Sequence, residues 1–300
     1  EFNDLIRGKV SFDASLFGDI AIAKDTETPL YNFAVVVDDE EMKISHVIRG
    51  EDHLSNTPKQ ILIYEALGKP LPQFGHLPLI LNPDKTKLSK RAGATSVSDY
   101  RKDYLPESLV NFMGFLGYTF DRELLTKEEM AEQFDIARMH KSGAVFDIKK
   151  LNWINAKCMK RLDPHVFKDL TGKEKLPAAA IPLITERLEK LSDVEEFSYF
   201  WREPEYDAKL LQWKEATPEQ LSDSLFAVKE MFRNVDIADK DEVRKQLDAL
   251  GTTHGNRGLA YWPLRVALTG RETSPDPVDI AFVLGRDEVL KRIDRALALL

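Results

Sequence analysis

The sequence predicts an α/β fold in its first hundred residues, followed by an all-α region. Two observations predict this division. Strand and helix signals alternate over the first hundred residues, whereas nearly the whole chain after Asp99 shows helical periodicity with repeated capping residues. The chain has 300 residues, of which 43% are hydrophobic and 31% charged, so it is long enough for two or three domains.

The α/β part begins with strand and turn material over residues 4–12. Residues 46–49 are a short strand candidate, and a helix follows them. Thr57 is placed to cap that helix, Pro58 suits its first turn, and Gly68 is typical of a helix stop. These signals predict the first strand and the helix of a strand–helix–strand unit.

The second strand of that unit is predicted over residues 74–81, an apolar run that ends at a turn over residues 82–84. Strands joined by a helical crossover lie parallel, and ligands bind beyond their carboxyl ends. We therefore expect residues 49–53 and the loop over residues 84–91 to lie near each other.

Helix signals recur through the rest of the chain. Starts are indicated at Pro106, at the capping boxes of residues 126–129 and 217–220, at residues 163–164 and at Asp239, and stops at Gly117 and Gly251. Seams are expected over residues 171–175 and 212–219. This region is therefore predicted to be an assembly of helices.

Composition excludes several classes of protein. No stretch approaches about eighteen consecutive apolar residues, and residues 1–10 show no secretory signal, so we expect a cytoplasmic protein with no membrane partner. The single cysteine, Cys158, cannot form an internal disulfide or hold a structural zinc alone. We expect neither redox nor zinc chemistry.

The net charge of −8 gives no general indication of a nucleic-acid partner, but basic residues are locally clustered. One cluster lies over residues 149–161, which contain no acidic residue and five basic ones, Lys149, Lys150, Lys157, Lys160 and Arg161. A second cluster in one short loop consists of Lys85, Lys87, Lys90 and Arg91. Such clusters bind phosphate on some acidic proteins, and on others they are solvated faces that balance acidic neighbours.

The segment KLSKR over residues 87–91 combines ammonium groups, a hydroxyl and a guanidinium. This composition suits a triphosphate, because movable point charges can stabilise the charge that develops on a pyrophosphate leaving group. An ordinary exposed basic turn is the alternative. The five residues alone do not decide between the two.

Further motifs accompany this loop in a fixed order. They are PLYNFAVVVDD over residues 29–39, ISHVIRGEDH over residues 44–53, SNTPKQ over residues 55–60, YLPESLVNF over residues 104–112, VFDIKKLNWIN over residues 145–155 and WPLRVALTG over residues 262–270. With these motifs the chain resembles the bacterial type of glutamyl-tRNA synthetase, a class I aminoacyl-tRNA synthetase, and the loop matches the second signature of that class.

One part of the family pattern has no match. The first signature, a proline-rich turn followed by His-Ile-Gly-His, does not occur, because none of the six histidines has that setting. The resemblance therefore implies the C-terminal portion of such an enzyme. We expect the second half of a Rossmann-like catalytic domain over residues 1–70, the KLSKR loop and a stem-contact domain over residues 71–165, and helical anticodon-binding domains over residues 166–222 and 223–300.

The resemblance also implies site residues. The loop is expected to close over ATP, with Lys90 nearest the phosphates and Lys87 assisting it in catalysis. The other ATP-binding residues that the resemblance implies are Ser89, Arg91, His53, Leu79 and Ile80. A structural role is the alternative for His53, and the side chains of Leu79 and Ile80 are core residues by default.

The resemblance implies that two residues bind glutamate. Arg49 resembles the family arginine that pairs with a substrate carboxylate, because a guanidinium fork suits both carboxylate oxygens. Tyr31 resembles the aromatic residue of the same pocket. The alternative for Arg49 is a salt bridge to Glu51 or Asp52.

The resemblance also implies that the helical region binds tRNA. The first basic cluster would contact phosphates, and residues near the C-terminus would contact bases. The residues implied are Lys149, Lys150, Trp153, Lys157, Lys160, Arg161, Arg265, Ser274 and Pro275. Trp262 is a possible stacking platform for a base, but a core position is favoured because an apolar helix follows it.

The activity implied is the formation of glutamyl-adenylate from L-glutamate and ATP, followed by transfer of the glutamyl group to tRNA(Glu). Mg²⁺ is expected to accompany ATP without a metal site in this chain, and we expect a monomer. A non-catalytic tRNA-binding module is the alternative, although such a module has no use for an ATP-phosphate loop. Glutaminyl relatives and a stand-alone modifying paralogue are disfavoured, since neither has a helical anticodon-binding region.

Overall fold

A computed structural model of the chain describes residues 1–88 and 96–300. It divides into two compact units, which are Glu1–Arg101 with Leu105–Ile154, and Lys102–Tyr104 with Asn155–Leu300. The first unit contains the sheet and the second is helical, so the predicted order of an α/β part and an α-helical part is confirmed. The finer four-part division stays a prediction.

The strands lie in the first unit. They are β1 (Phe2–Asp4), β2 (Gly8–Val10), β3 (His46–Gly50), β4 (Gln73–Leu77), β5 (Ile80–Leu81) and β6 (Ala144–Val145). The helices that accompany them are α1 (Tyr31–Glu41), α2 (Thr57–Ala66), α3 (Val97–Tyr100), α4 (Pro106–Gly117) and α5 (Lys127–Gln133), and α6 follows over Ile148–Met159.

Within the described residues, four strands form one sheet in the order β2-β1-β4-β3, and β5 and β6 form a separate pair. Strands β3 and β4 are parallel, and Arg49 on β3 stands opposite His76 on β4. The predicted strand–helix–strand unit is thus confirmed. Val36 on α1 packs with Ile63 and Tyr64 on α2, and this cluster holds the two helices together.

Three local predictions about the first unit are wrong. The strand expected over residues 74–81 is two strands in different sheets, because Pro78 has no amide proton for a ladder and the chain leaves β4 just before it. Strand β5 pairs with β6, which is a short strand inside the region expected to be all-helical. Thr57 does not cap α2, because it is already a helical residue and its hydroxyl lies 2.9 Å from His76 Nε2.

The helices of the second unit follow α6. They are α7 (Pro164–Thr171), α8 (Ile181–Thr185), α9 (Pro218–Asn234), α10 (Lys240–Thr253), α11 (Arg257–Thr269), α12 (Pro277–Leu284) and α13 (Arg286–Leu297). The core between α9, α10, α11 and α13 includes the fully buried side chains of Leu225, Val228, Leu247, Leu264 and Ile293.

Most predicted helix starts are confirmed by their caps. The Thr126 and Thr217 capping boxes form with both of their hydrogen bonds, and Asp163 and Asp239 cap α7 and α10. The predicted stop at Gly251 is wrong, because α10 continues to Thr253. A Cβ atom at Gly251 would lie 2.7 Å from Arg257 Cα, so this glycine permits the close approach of α10 and α11.

Across residues 1–88 and 96–300, every helix falls short of the length or the apolar character that a membrane crossing requires.

Candidate functional site

Arg49 lies near the carboxyl end of β3 and is held by neutral groups. Its Nε donates to His76 Nε2 at 3.4 Å, and its Nη2 donates to Thr57 Oγ1 at 2.8 Å and to Gln60 Oε1 at 2.7 Å. Burial lowers the pKa of Arg49 because it disfavours the charged form. The guanidinium is therefore a half-buried positive charge, which suits a carboxylate ligand.

The alternative role of Arg49, a salt bridge to Glu51 or Asp52, does not occur among the described residues. Glu51 pairs with Arg7 instead, and its Oε1 accepts from the backbone N–H of Leu79 at 3.1 Å. Asp52 pairs with a lysine of the loop, described below. Glu51 and Asp52 are thus paired elsewhere. Asp39 and Asp52 act on Arg49 only through their charge, which opposes the effect of burial on its pKa.

Tyr31 and His53 lie beside Arg49. Tyr31 is the first residue of α1, half of it is exposed, and its hydroxyl lies 3.3 Å from His53 Nδ1. Tyr31 also hydrogen bonds to Arg49. The structure therefore brings together both residues implied in glutamate binding and one residue implied in ATP binding.

The loop implied in ATP binding begins at the same edge of the sheet. After β5 the chain turns back, so that the Leu88 N–H donates to the Ile80 carbonyl at 2.9 Å. Lys87 Nζ then lies 3.2 Å from Asp52 Oδ2, directly after β3. The expected proximity of the two segments is confirmed for Lys87, whereas Ser89, Lys90 and Arg91 lie outside the described residues.

Leu79 and Ile80 connect this hairpin to β4. The Leu79 carbonyl accepts from the Ala144 N–H at 3.1 Å, and the Ile80 carbonyl accepts from Leu88. Both side chains are half-buried. Because these carbonyls are occupied within the protein, the predicted contact with adenine rests on the side chains and stays a prediction.

A fully buried pair, Asp4 and His76, lies behind Arg49. His76 Nδ1 is 2.6 Å from Asp4 Oδ2, and neither side chain is exposed. Burial lowers the pKa of His76 and outweighs the opposing effect of Asp4, with Arg49 and Arg7 acting in the same direction as burial. Burial alone would raise the pKa of Asp4, but hydrogen bonds from Arg7, His76 and Ile6 lower it. The pair is therefore a carboxylate and a neutral imidazole.

The first basic cluster lies on α6 and just after it. Lys149, Lys150, Trp153, Lys157, Lys160 and Arg161 are all exposed. Lys150 Nζ lies 4.8 Å from the centre of the Phe115 ring, and Lys160 pairs with Glu186, which lowers the pKa of that carboxyl. These positions are accessible to a polyanion, although Lys160 has a carboxylate partner that would have to release it.

Arg265 on α11 lies beside the two other residues implied in base contacts. Its Nη1 donates to the Ser274 carbonyl at 3.0 Å, to Ser274 Oγ at 2.9 Å and to the Pro275 carbonyl at 3.4 Å. Burial lowers the pKa of Arg265. Arg265 therefore shapes the turn at residues 274–275, and a base contact by its own guanidinium stays a prediction.

Trp262, for which the sequence favours a core position, is partly buried and bonded within the second unit. Its Nε1 donates to the Leu210 carbonyl at 2.9 Å, and its ring lies 5.3 Å from that of Trp213.

Sequence reasoning missed the residues that hold Arg49. Asp4 and His76 are 72 positions apart, and Gln60 donates from Nε2 to Asn32 Oδ1 at 3.0 Å across 28 positions. The motifs include Asn32, Thr57 and Gln60, but nothing in the motifs indicates that these residues surround Arg49. The available signal was the parallel register, which places His76 opposite Arg49.

Comparisons with known proteins identify the family. A model described as tRNA synthetases class I (E and Q), catalytic domain, matches residues 1–153, and a model of an anticodon binding domain matches residues 157–297. A glutamate–tRNA ligase of Natranaerobius thermophilus is 38% identical over 99% of this chain, and glutamate–tRNA ligase 2 of Caldanaerobacter subterraneus is 40% identical over 100% of it.

The chain spans 65% and 66% of the length of these two relatives. A solved structure of a glutamate tRNA ligase from Elizabethkingia meningosepticum in complex with its amino acid matches with a TM-score of 0.84 and 30% identity, over 99% of this chain and 65% of that one.

The Asp4–His76 pair predicts that acid destabilises the first unit. The pKa of His76 is below its ordinary value in the folded state, so the unfolded chain binds more protons below about pH 6.5 and stability falls there, by up to about 1.4 kcal/mol per pH unit. Urea-dependent hydrogen exchange of β4 at pH 7.5 and pH 5.5 measures this loss. The His76→Gln variant should lose most of the difference, whereas His46→Gln at an exposed position should keep it; an equal difference in both variants would contradict the assignment.

Proposed function

The chain belongs to the class I tRNA synthetases (E and Q), and we propose that the complete protein joins L-glutamate to tRNA(Glu) at the expense of ATP. The observation that carries this proposal is the Arg49 guanidinium, half-buried beside Tyr31 and held by neutral groups. It lies at the carboxyl end of a parallel strand, next to the start of the KLSKR loop. The names of the relatives support glutamate rather than glutamine as the amino acid.

In the first step, Arg49 and Tyr31 bind one carboxylate of glutamate and orient the substrate. The other carboxylate attacks the α-phosphorus of ATP, the bond to the bridging oxygen breaks, and pyrophosphate leaves. Lys90 and Lys87 stabilise the negative charge that develops on the leaving group. Lys87 must exchange its partner Asp52 for phosphate, which is feasible because both side chains are about half exposed.

ATP brings Mg²⁺ on its phosphates. Residues 1–88 and 96–300 contain no group of three His, Cys, Asp or Glu side chains that could hold a metal ion, so we assign the ion no protein cage in this part of the chain. Ser89, Arg91, His53, Leu79 and Ile80 are proposed to contact the nucleotide. Their contribution is the positioning of ATP for attack.

In the second step, a hydroxyl of the terminal ribose of the tRNA attacks the glutamyl carbonyl and AMP leaves. We propose that the basic cluster on α6 contacts tRNA phosphates, with Trp153 among them. The match of residues 157–297 to an anticodon binding domain supports base contacts near Arg265, Ser274 and Pro275. We propose that the protein is a monomer and that it acts in the cytoplasm, where translation uses its product.

A non-catalytic tRNA-binding module is the second candidate, because the first signature of the class does not occur in these 300 residues. The KLSKR loop and the charged pocket around Arg49 favour the enzyme. A binding module has no use for either feature.

We predict that the 300-residue chain by itself does not activate glutamate. The first signature supplies part of the nucleotide site in the class that this chain resembles, so glutamate-dependent exchange of pyrophosphate into ATP should stay at background. The full-length protein, assayed in parallel, should show exchange. Exchange by the chain alone would show that the signature is dispensable, and no exchange by the full-length protein would favour the binding module.

Replacement of Lys90 tests the loop. In the full-length protein, Lys90→Ala removes a cation that acts mainly in the transition state, so activation should slow about a hundredfold, equivalent to about 3 kcal/mol, with little change in tRNA affinity. Single-turnover formation of the adenylate measures the rate. Lys85→Ala removes a charge from the same loop and should have a much smaller effect; equal rates in the two variants would contradict the assignment.

The basic cluster predicts a salt-dependent affinity of the chain for tRNA(Glu). Replacing Lys157, Lys160 and Arg161 together with Ala should reduce the slope of log affinity against log salt by about 2 to 3 units, because each phosphate contact contributes about 0.7 to 0.9. Fluorescence titration at several salt concentrations measures the slope.

The control for that experiment removes the same number of charges from exposed positions of the first unit, namely Lys9, Lys24 and Lys43. It should leave the slope nearly unchanged. Equal slopes for the two triple variants would mean that the cluster on α6 is a solvated face.

A further inference from the structure

We propose that His76 is a positioning residue for Arg49, acting through a chain of hydrogen bonds that runs from the guanidinium through Thr57 and His76 to Asp4. This inference rests on the proposed function, because it concerns the residue to which we assign the substrate carboxylate. It names the group that sets the orientation of Arg49, which none of the motifs indicates.

The chain of hydrogen bonds is continuous and short. Arg49 Nη2 donates to Thr57 Oγ1 at 2.8 Å, Thr57 Oγ1 lies 2.9 Å from His76 Nε2, and His76 Nδ1 lies 2.6 Å from Asp4 Oδ2. Thr57, His76 and Asp4 are all buried. Solvent therefore cannot substitute for a missing partner at any step.

Asp4 fixes the direction of donation along these hydrogen bonds. Its Oδ1 accepts the backbone N–H groups of Ile6 at 3.0 Å, Arg7 at 2.9 Å and His76 at 3.2 Å, so this carboxylate is an acceptor with a fixed orientation. His76 must then donate from Nδ1. A neutral imidazole that donates from Nδ1 accepts at Nε2, where Arg49 Nε makes the longer contact. The single hydroxyl proton of Thr57 has two acceptors within reach, His76 Nε2 at 2.9 Å and the His53 carbonyl at 3.2 Å, and we assign it to the nearer one.

A count of donors shows what this arrangement leaves for a ligand. A guanidinium has five N–H groups. Described residues hold three of those of Arg49: one goes to His76, one to Thr57 and one to Gln60. The two N–H groups of Nη1 take no part in these three bonds and form the edge that we assign to the substrate carboxylate. The orientation of this edge depends on the groups that hold Nε and Nη2.

Two substitutions separate the two sides of the imidazole. In His76→Asn, the side-chain amide can still donate to Asp4 but cannot reach Thr57. In His76→Gln, the amide oxygen can occupy the position of Nε2 and accept from Thr57. A role of His76 that is merely structural predicts similar losses in both variants, whereas a positioning role predicts that they differ.

Steady-state exchange kinetics of the full-length protein tests the proposal. We expect His76→Asn to raise the KM for glutamate at least tenfold, with the KM for ATP and the kcat at saturating glutamate changed less than threefold. His76→Gln should raise the KM for glutamate less than His76→Asn does, because it keeps the acceptor for Thr57 although it loses the donor to Asp4. Thr57→Val, which removes the hydroxyl at constant shape, should resemble His76→Asn, and the exposed control His46→Gln should resemble the parent.

A second measurement does not depend on variants or on activity. Long-range ¹H–¹⁵N spectra of the full-length protein at pH 7.5 should show His76 as the neutral tautomer with its proton on Nδ1. A proton on Nε2 at that pH would overturn the proposal, and so would an unchanged KM for glutamate in His76→Asn or equal effects of Asn and Gln. A parent protein without glutamate-dependent exchange would overturn the proposed function instead, and the tautomer would then decide whether the chain of hydrogen bonds exists.

Discussion

The contact between the Asp4 carboxylate and the His76 imidazole fixes both the sheet and the site. Over the residues that the structure describes, β1 meets β4 at a single aligned pair, Asp4 with Phe74, so backbone pairing alone ties these strands weakly. The buried side-chain contact adds a second tie, and leaving a buried hydrogen-bonding group without its partner costs about 1–3 kcal/mol. Because His76 also faces Arg49, the same contact that closes the sheet orients the guanidinium.

Local features of the fold could be predicted because their partners are near in sequence. The capping boxes at Thr126 and Thr217 need only the third residue that follows, and both form. The roles of Thr57 and Gly251 depend on contacts outside their own helices, which local sequence signals do not indicate. His76 takes the hydroxyl that a cap would have used, and packing against Arg257 requires a glycine where the sequence suggested a helix stop.

The same distinction applies to the site. A resemblance could assign Arg49 and Tyr31, and the structure brings them together, but no motif could indicate Asp4, whose contribution depends on a parallel register across the sheet. For Arg265, the resemblance implies a role that the structure does not test. The resemblance assigns it a base contact, whereas the structure shows that its Nη1 supports the Ser274–Pro275 turn, so its loss would disturb that turn.

Four consecutive residues, Arg49 to Asp52, connect two regions with different tasks. Arg49 faces the proposed carboxylate, Glu51 holds the Leu79 amide at the start of the hairpin, and Asp52 holds Lys87 on its far side. A shift of this segment on binding one substrate would change the position of the other's contacts. Linkage makes such coupling reciprocal: if glutamate strengthens the binding of ATP by some factor, ATP strengthens that of glutamate by the same factor. The strength of that coupling would then depend on one short stretch of backbone.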